Sequence, residues 1–277
     1  MVQTLAAQDR SPALTACCEK YLNTFDNGIE NRDAAEALIA ALADASDPVA
    51  AEILAGKAYL AKKSVWVFGG DGWAYDIGFG GVDHVLAMGA DVNMLVFDTE
   101  VYSNTGGQAS KASGCGQVAQ FAVGGKSHGK KSLAEMMLSY GHVYVAQVSL
   151  GASMPQLLKA LTEAEAYNGP SLIVAYAPCE LHGIRGGGLK NSGEEMKKAV
   201  ETGYFPLFRY HPLREKEKLA IDSAPPKGDF AAFLAGESRY ARLLEKDPER
   251  AAELFNRAKE QAEARYARLC ALREVYS

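Results

Sequence analysis

The 277-residue sequence is poor in the features that mark several protein classes. No apolar run approaches the roughly 20 residues of a membrane-spanning helix. The opening MVQTLAAQDR lacks the basic and apolar regions of a secretory signal. Basic residues are not in excess: 29 Lys and Arg against 34 Asp and Glu give a net charge of −5. Nothing in that balance would draw nucleic acid or an anionic membrane surface. The expectation is a cytoplasmic protein with no nucleic-acid or membrane partner. The five cysteines (Cys17, Cys18, Cys115, Cys179, Cys270) are scattered, with no C-x-x-C. This spacing excludes a disulfide framework and any self-contained zinc or iron–sulfur site, and points to mostly buried thiols. Both nucleotide fingerprints are missing. G-x-G-x-x-G would need glycine where Asp83 stands, and GGKS at 124–127 has Gln120 in place of the leading P-loop glycine.

With 48% hydrophobic and 23% charged residues, the chain has the composition of an ordinary globular protein with a full core. Residues 11–60 carry helical periodicity at Leu38, Ile39 and Leu42, then at Ile53, Leu54 and Ala58. Asp47-Pro48 forms a cap and first-turn start. From residue 64 short apolar runs alternate with helical patterns: VWVF (65–68), VNMLVF (92–97), HVYVAQVSL (142–150) and SLIVAY (171–176), separated by helices around 75–88, 132–140 and 155–167. Such alternation predicts right-handed βαβ crossovers and a doubly wound, mostly parallel α/β sheet covered on both faces. The long Gly-rich stretch 103–131 has the length of a functional or disordered loop. After Pro225-Pro226 the tail is helical; Asp247-Pro248 starts a helix aligning Leu254, Phe255, Ala258, Ala262, Tyr266 and Leu269 on one face. The division expected is a helical lead-in (1–60), an α/β domain (61–212) and a helical C-terminal extension packed on it (213–277).

The densest chemical signal is GGDGWAYDIGFGG at 69–81, between a strand and a helix. Strand ends and helix N-termini in such sheets hold anions, so this is a diphosphate site in outline. A lone carboxylate, Asp71, would repel a diphosphate, which suggests a divalent cation between the two; magnesium prefers oxygen ligands and is held by few protein groups plus substrate phosphates. The next strand ends in Asp98-Thr99-Glu100-Val101-Tyr102-Ser103-Asn104, bringing further oxygens to the same sheet edge. A structural glycine turn is the competing reading, since GDG is also good turn chemistry.

The segment GGDGWAYDIGFGGVDHVLAMGADVNMLVFDTEVYSNTGGQASK (69–111) resembles the thiamine-diphosphate-binding segment of pyruvate:ferredoxin (flavodoxin) oxidoreductases, and the likeness continues through VYVAQVSLGAS, PSLIVAYAPC and GYFPLFRY. It implies that Asp71, Thr99 and the Val101 carbonyl, within one residue of a common strand end, ligate Mg²⁺. Gly70, with the backbone of Gly72, Trp73 and Ala74, would meet the diphosphate. Asn104 would lie near the thiazolium and the bound 2-oxo acid, as the catalytic residue. Cys179 would match one ligand of a [4Fe–4S] cluster, bound only if partner cysteines are supplied, because one cysteine cannot hold it.

The activity implied is oxidative decarboxylation of pyruvate to acetyl-CoA with electrons passed to iron–sulfur clusters. Its partners would be a 2-oxo acid, coenzyme A and ferredoxin or flavodoxin, acting through a complete enzyme that is a homo-oligomer. The family's glutamate beside the aminopyrimidine, its C-x-x-C segment and its remaining domains have no counterpart here. The chain is therefore expected to be the carboxy-terminal portion of a larger enzyme, inactive in isolation; the alternative is a non-catalytic diphosphate and magnesium module or a truncated remnant. Asp76, Asp83, Asp98 and Glu100 are expected to be solvated or capping groups, His84 packed or solvated, and His128 and His182 without a role.

Overall fold

Capping residues and apolar spacing account for the helical lead-in. In the computed structural model, which describes residues 1–8 and 11–277, residues 1–65 form one compact unit and 66–277 another. The first holds α1 (Val2–Ala6), α2 (Pro12–Asn23), α3 (Gly28–Ala43) and α4 (Pro48–Ala55). Asn27 accepts from the Ile29 and Glu30 N–H groups to start α3, and Asp47 accepts from Val49 N–H to start α4, with Pro48 in its first turn. Leu14, Cys18, Leu38, Leu42 and Ile53 are among the buried residues of this unit's own core.

In the second unit the four apolar runs become β1 (Trp66–Gly70), β2 (Asn93–Asp98), β3 (Tyr144–Val148) and β4 (Ser171–Tyr176). They pair in parallel in the order β1-β2-β4-β3, and β5 (Phe208–Tyr210) and β6 (Leu219–Ile221) extend the β3 side antiparallel. These last two strands correct the sequence reading, which placed 219–221 in a helical extension. At three residues each they are too short to show a period of two, and pairing, of β5 with β3 and of β6 with β5, rather than propensity makes them strands.

Helices α5 (Phe79–Ala87), α6 (Leu133–Leu138), α7 (Met154–Ala166) and α8 (Ser192–Glu201) connect or flank the strands. They are followed by α9 (Phe230–Ala235), α10 (Ser238–Lys246) and α11 (Pro248–Val275). Asp247 accepts from Arg250 N–H to begin α11, whose Leu254, Ala258, Ala262 and Leu269 enter the main core. Phe255 is partly buried against that core.

The predicted burial of both sheet faces holds at β3 and β4 and fails at β1, an edge strand, and at Phe97 on the neighbouring β2. Phe68 is 59% and Phe97 45% exposed. Their rings stack at 6.5 Å, with Trp66 stacked on Phe68 at 5.9 Å. The expected helix over 75–88 is also interrupted. Residues 72–77 make a π-helical turn closed by Gly78 N–H to the Trp73 carbonyl (2.8 Å), and α5 begins after Gly78. The Trp73 ring explains the break: a Cβ on Gly78 would stand 2.2 Å from it, and one on Gly69 2.3 Å.

Candidate functional site

The carboxyl ends of β1 and β2 are hydrogen-bonded neighbours, so Asp71, one residue past β1, and Thr99, one past β2, arrive side by side. They come from two adjacent strand ends, not the single one expected. The Thr99 hydroxyl lies 2.7 Å from Asp71 Oδ1 and 2.9 Å from the Val101 carbonyl oxygen. A hydroxyl has one proton and can donate fully to only one of these acceptors. These two separations are close to the roughly 3 Å between neighbouring ligands of a magnesium ion with bonds of about 2.1 Å. The donor set, one carboxylate with neutral oxygens, suits magnesium rather than a soft metal.

Asp71 is 1% exposed. Burial pushes its pKa up, and hydrogen bonds from Ser110 and Thr99, with the nearby Lys130 charge, pull it back. A buried carboxylate strained toward neutrality is one that a bound cation would relieve. Ser110 Oγ donates to Asp71 Oδ2 at 2.5 Å. This orienting partner escaped the sequence reading because it lies within the unpatterned stretch 103–131.

That stretch is folded rather than open. Tyr102 pairs with Gln108, and Gln108 with Gln120. Lys126 Nζ donates to the Ser110 and Ser113 carbonyls. Burial lowers the Lys126 pKa to about 8.

In front of these groups a cavity of about 500 Å³ is lined by Gly70, Asp71, Gly72, Trp73, Thr99, Val101 and Asn104, with Phe68 and Phe97. A Cβ on Gly70 would meet nothing within 4 Å, so the wall there is bare backbone. At Gly72 a Cβ would come 2.5 Å from the Tyr102 ring, which also lines the cavity. The first turn of a helix leaves N–H groups without intrahelical acceptors, and Gly72, Trp73 and Ala74 occupy that turn here. Ala74 is buried away from the cavity wall that its two neighbours share. Asn104 is exposed at the cavity.

Cys179 lies beyond β4, well along the chain from the cavity-lining segments. Its N–H donates to His182 Nδ1 at 3.1 Å, and Sγ lies 3.6 Å from the same nitrogen. Among the described residues no group of three or more His, Cys, Asp or Glu side chains could hold a metal. His182, given no role from the sequence, is fully buried against Cys179, and burial holds its pKa well below the usual range. His84 and His128 are exposed.

The expectation that Asp98 and Glu100 are solvated or capping is wrong: both are fully buried. Lys130 Nζ donates to Asp98 Oδ2 (2.5 Å) and Glu100 Oε1 (2.8 Å). Arg239 reaches Glu100 Oε2 at 2.7 Å, and the Tyr204 hydroxyl donates to it at 2.6 Å. Burial raises Asp98 to about 6. Glu100 suffers the same burial, but Lys130 and Arg239 hold it well below the usual carboxylate range. Their partners come from distant segments, so nothing local in DTEVY announces them. Asp76 pairs with Lys111 at 2.7 Å, and Asp83 accepts from the Tyr140 hydroxyl at 2.6 Å.

Residues 48–175 match the family model described as "Thiamine pyrophosphate enzyme, C-terminal TPP binding domain". A pyruvate:ferredoxin oxidoreductase of Moorella thermoacetica is 51% identical over 265 residues, covering 92% of this chain and 22% of that protein. A pyruvate-flavodoxin oxidoreductase of Klebsiella pneumoniae is 49% identical over 93% of this chain and 22% of its own length. A mitochondrial pyruvate dehydrogenase [NADP(+)] of Euglena gracilis is 43% identical over 97% of this chain and 15% of its own length. The chain thus spans about a fifth of the length of these relatives. Over nearly its whole length the chain is similar to one segment of the pyruvate:ferredoxin and pyruvate-flavodoxin oxidoreductases, and its residues 48–175, which include Asp71, Thr99 and Val101, match the thiamine pyrophosphate binding domain model.

Proposed function

We propose that this chain holds magnesium thiamine diphosphate for the oxidation of a 2-oxo acid, pyruvate by analogy with its relatives. The remainder of the enzyme would be supplied by further domains or a partner chain. Coenzyme A and ferredoxin or flavodoxin would engage that complete assembly, and the isolated chain would not turn over. The observation that carries the reading is the Thr99 hydroxyl set between Asp71 Oδ1 and the Val101 carbonyl.

In this reading Asp71, Thr99 and the Val101 carbonyl would hold the ion, whose charge would offset the repulsion between the carboxylate and a diphosphate. Gly70 and the backbone of Gly72 and Trp73 would form the wall that the diphosphate meets, and Ala74, buried behind that wall, would contribute at most its main-chain N–H in the same helical turn. Ser110 fixes the rotamer of Asp71 from the far side. Asn104, exposed at the cavity mouth, offers an amide to the substrate end of the cofactor. When bound, thiamine diphosphate supplies the nucleophilic carbon and electron sink for decarboxylation, and the protein supplies orientation. The Cys179 thiol would ligate a [4Fe–4S] cluster only with cysteines from outside the described residues.

Calorimetric or thermal-shift titration with thiamine diphosphate and MgCl₂ tests the binding claim. Ligand at a hundredfold excess over Kd should stabilise the chain by about 2.7 kcal/mol. A melting curve unmoved by the pair would overturn the reading. The larger claim is tested by co-expression with the neighbouring coding sequence: a brown complex reducing ferredoxin on addition of pyruvate and coenzyme A is expected, and a colourless lone chain would instead favour a non-catalytic module.

A further inference from the structure

Thr99 and Val101 flank Glu100, whose φ of +58° is a left-handed conformation that a side chain rarely adopts. Every oxygen of this residue is held. The carboxylate takes Lys130 on one oxygen and Arg239 with Tyr204 on the other. The main-chain carbonyl accepts from Ser113 Oγ at 2.5 Å and Gln117 Nε2 at 3.0 Å. Arg239 is itself fastened by Glu237 (2.6 Å) and by Gln117 Oε1 (3.2 Å). Its carbonyl accepts from Val118 N–H at 2.8 Å.

We infer that Glu100 and Arg239 are positioning residues for the metal site: the buried clamp fixes the left-handed turn that aims the Thr99 hydroxyl and the Val101 carbonyl at one point. The inference rests on the metal reading above and deepens it. A strained residue between two ion-facing residues, secured at both its side chain and its backbone, is far more bracing than a strand end requires. It also ties the site to α10, nearly 140 residues downstream, so the site's geometry depends on the docking of that helix.

A flexible ion should distinguish positioning from bulk stability, because magnesium demands near-octahedral ligands whereas calcium tolerates irregular ones. The test measures half-saturation by Mg²⁺ and by Ca²⁺ of thiamine diphosphate binding to the full chain. The variants are Glu100→Gln, Arg239→Met and Arg239→Lys, with Asp71→Ala as control. Glu100→Gln and Arg239→Met should raise the Mg²⁺ requirement at least tenfold and the Ca²⁺ requirement less than threefold, with partial rescue in Arg239→Lys. If the charge variants do not fold, Ser113→Ala and Gln117→Leu, which release the Glu100 carbonyl while leaving both buried charges in place, should show the same split. Equal losses for both ions, or unchanged Mg²⁺ half-saturation in folded variants while Asp71→Ala still abolishes binding, would overturn the positioning role and leave the metal reading standing. Metal-dependent binding that survives Asp71→Ala would instead sink the metal reading itself.

Discussion

The Thr99 hydroxyl sits 2.7 Å from Asp71 Oδ1, joining the ends of two neighbouring parallel strands at the floor of the cavity. Asp71 is the only charged member of that oxygen set, and Ser110 braces its other oxygen. Substituting Asp71→Ala should therefore abolish the stabilisation by thiamine diphosphate with Mg²⁺. Ser110→Ala should weaken metal affinity by about ten- to a hundredfold, the usual effect of losing an orienting partner. Thermal shift against MgCl₂ at fixed cofactor reads both; an undiminished shift in Asp71→Ala would show the ion to be elsewhere.

The lining of this cavity was legible because the residues proposed to hold the ion and cofactor are concentrated between 70 and 104, where a carboxylate among glycines and a polar strand end stand out against apolar runs. The clamp behind it was not. Asp98 and Glu100 read as solvated ends until Lys130, Tyr204 and Arg239 arrive from segments 30 to 140 residues away. A buried acid cannot be told from an exposed one without its counter-charge. The fold shows the same division. Four strands lay in runs with four or more apolar residues to declare them, while β5 exists because β3 offers an unpaired edge and β6 because β5 offers the next one.

Trp73 occupies the space that side chains at positions 69 and 78 would need. Gly69→Ala should destabilise the chain by about 1–3 kcal/mol through overpacking. Combined with Trp73→Ala the penalty should shrink, giving a coupling of about 0.5–3 kcal/mol in a urea double-mutant cycle. Strict additivity would mean that the ring moves aside at no cost and does not enforce the glycines.

Glu237 is fully buried, and its pKa is raised by burial from 4.5 to about 7, against the pull of Arg239. The folded chain therefore holds this proton more tightly than the unfolded chain. Its stabilising contribution is fully present below about pH 4.5 and is lost as the pH rises through about 7. Glu237→Gln cannot ionise, so its stability relative to the wild type should improve as the pH increases across that window. Paired denaturation curves at pH 5 and 8 measure this. A pH-independent difference would show Glu237 to be ionised throughout.

Asn104 lines the cavity without touching Asp71, Thr99 or Val101 through any hydrogen bond, and it is exposed. Asn104→Ala should leave the half-saturation for thiamine diphosphate with Mg²⁺ within twofold of the wild type, while lowering pyruvate turnover in the assembled enzyme. A marked loss of cofactor affinity would move Asn104 from the substrate to the diphosphate side of the site.

At the far edge of the sheet Arg209, 5% exposed, donates to Asp222 through Nε and Nη2 at 2.8 Å and to both Glu163 oxygens through Nη1 at 2.7 Å. Removing it takes the guanidinium from two largely sheltered carboxylates: Glu163 on α7 keeps Arg214 and the Tyr144 hydroxyl, while Asp222 beside β6 keeps the neutral Gln156 amide. Arg209→Met should accordingly cost about 3–5 kcal/mol. By contrast Arg268, which reaches Glu135 at 2.6 Å, keeps half of its side chain in water, and Arg268→Ala should cost at most about 1 kcal/mol. Guanidinium denaturation of the two variants separates the cases; similar losses would show that burial does not set the worth of these pairs, and that β5 and β6 are held by their strand pairing instead.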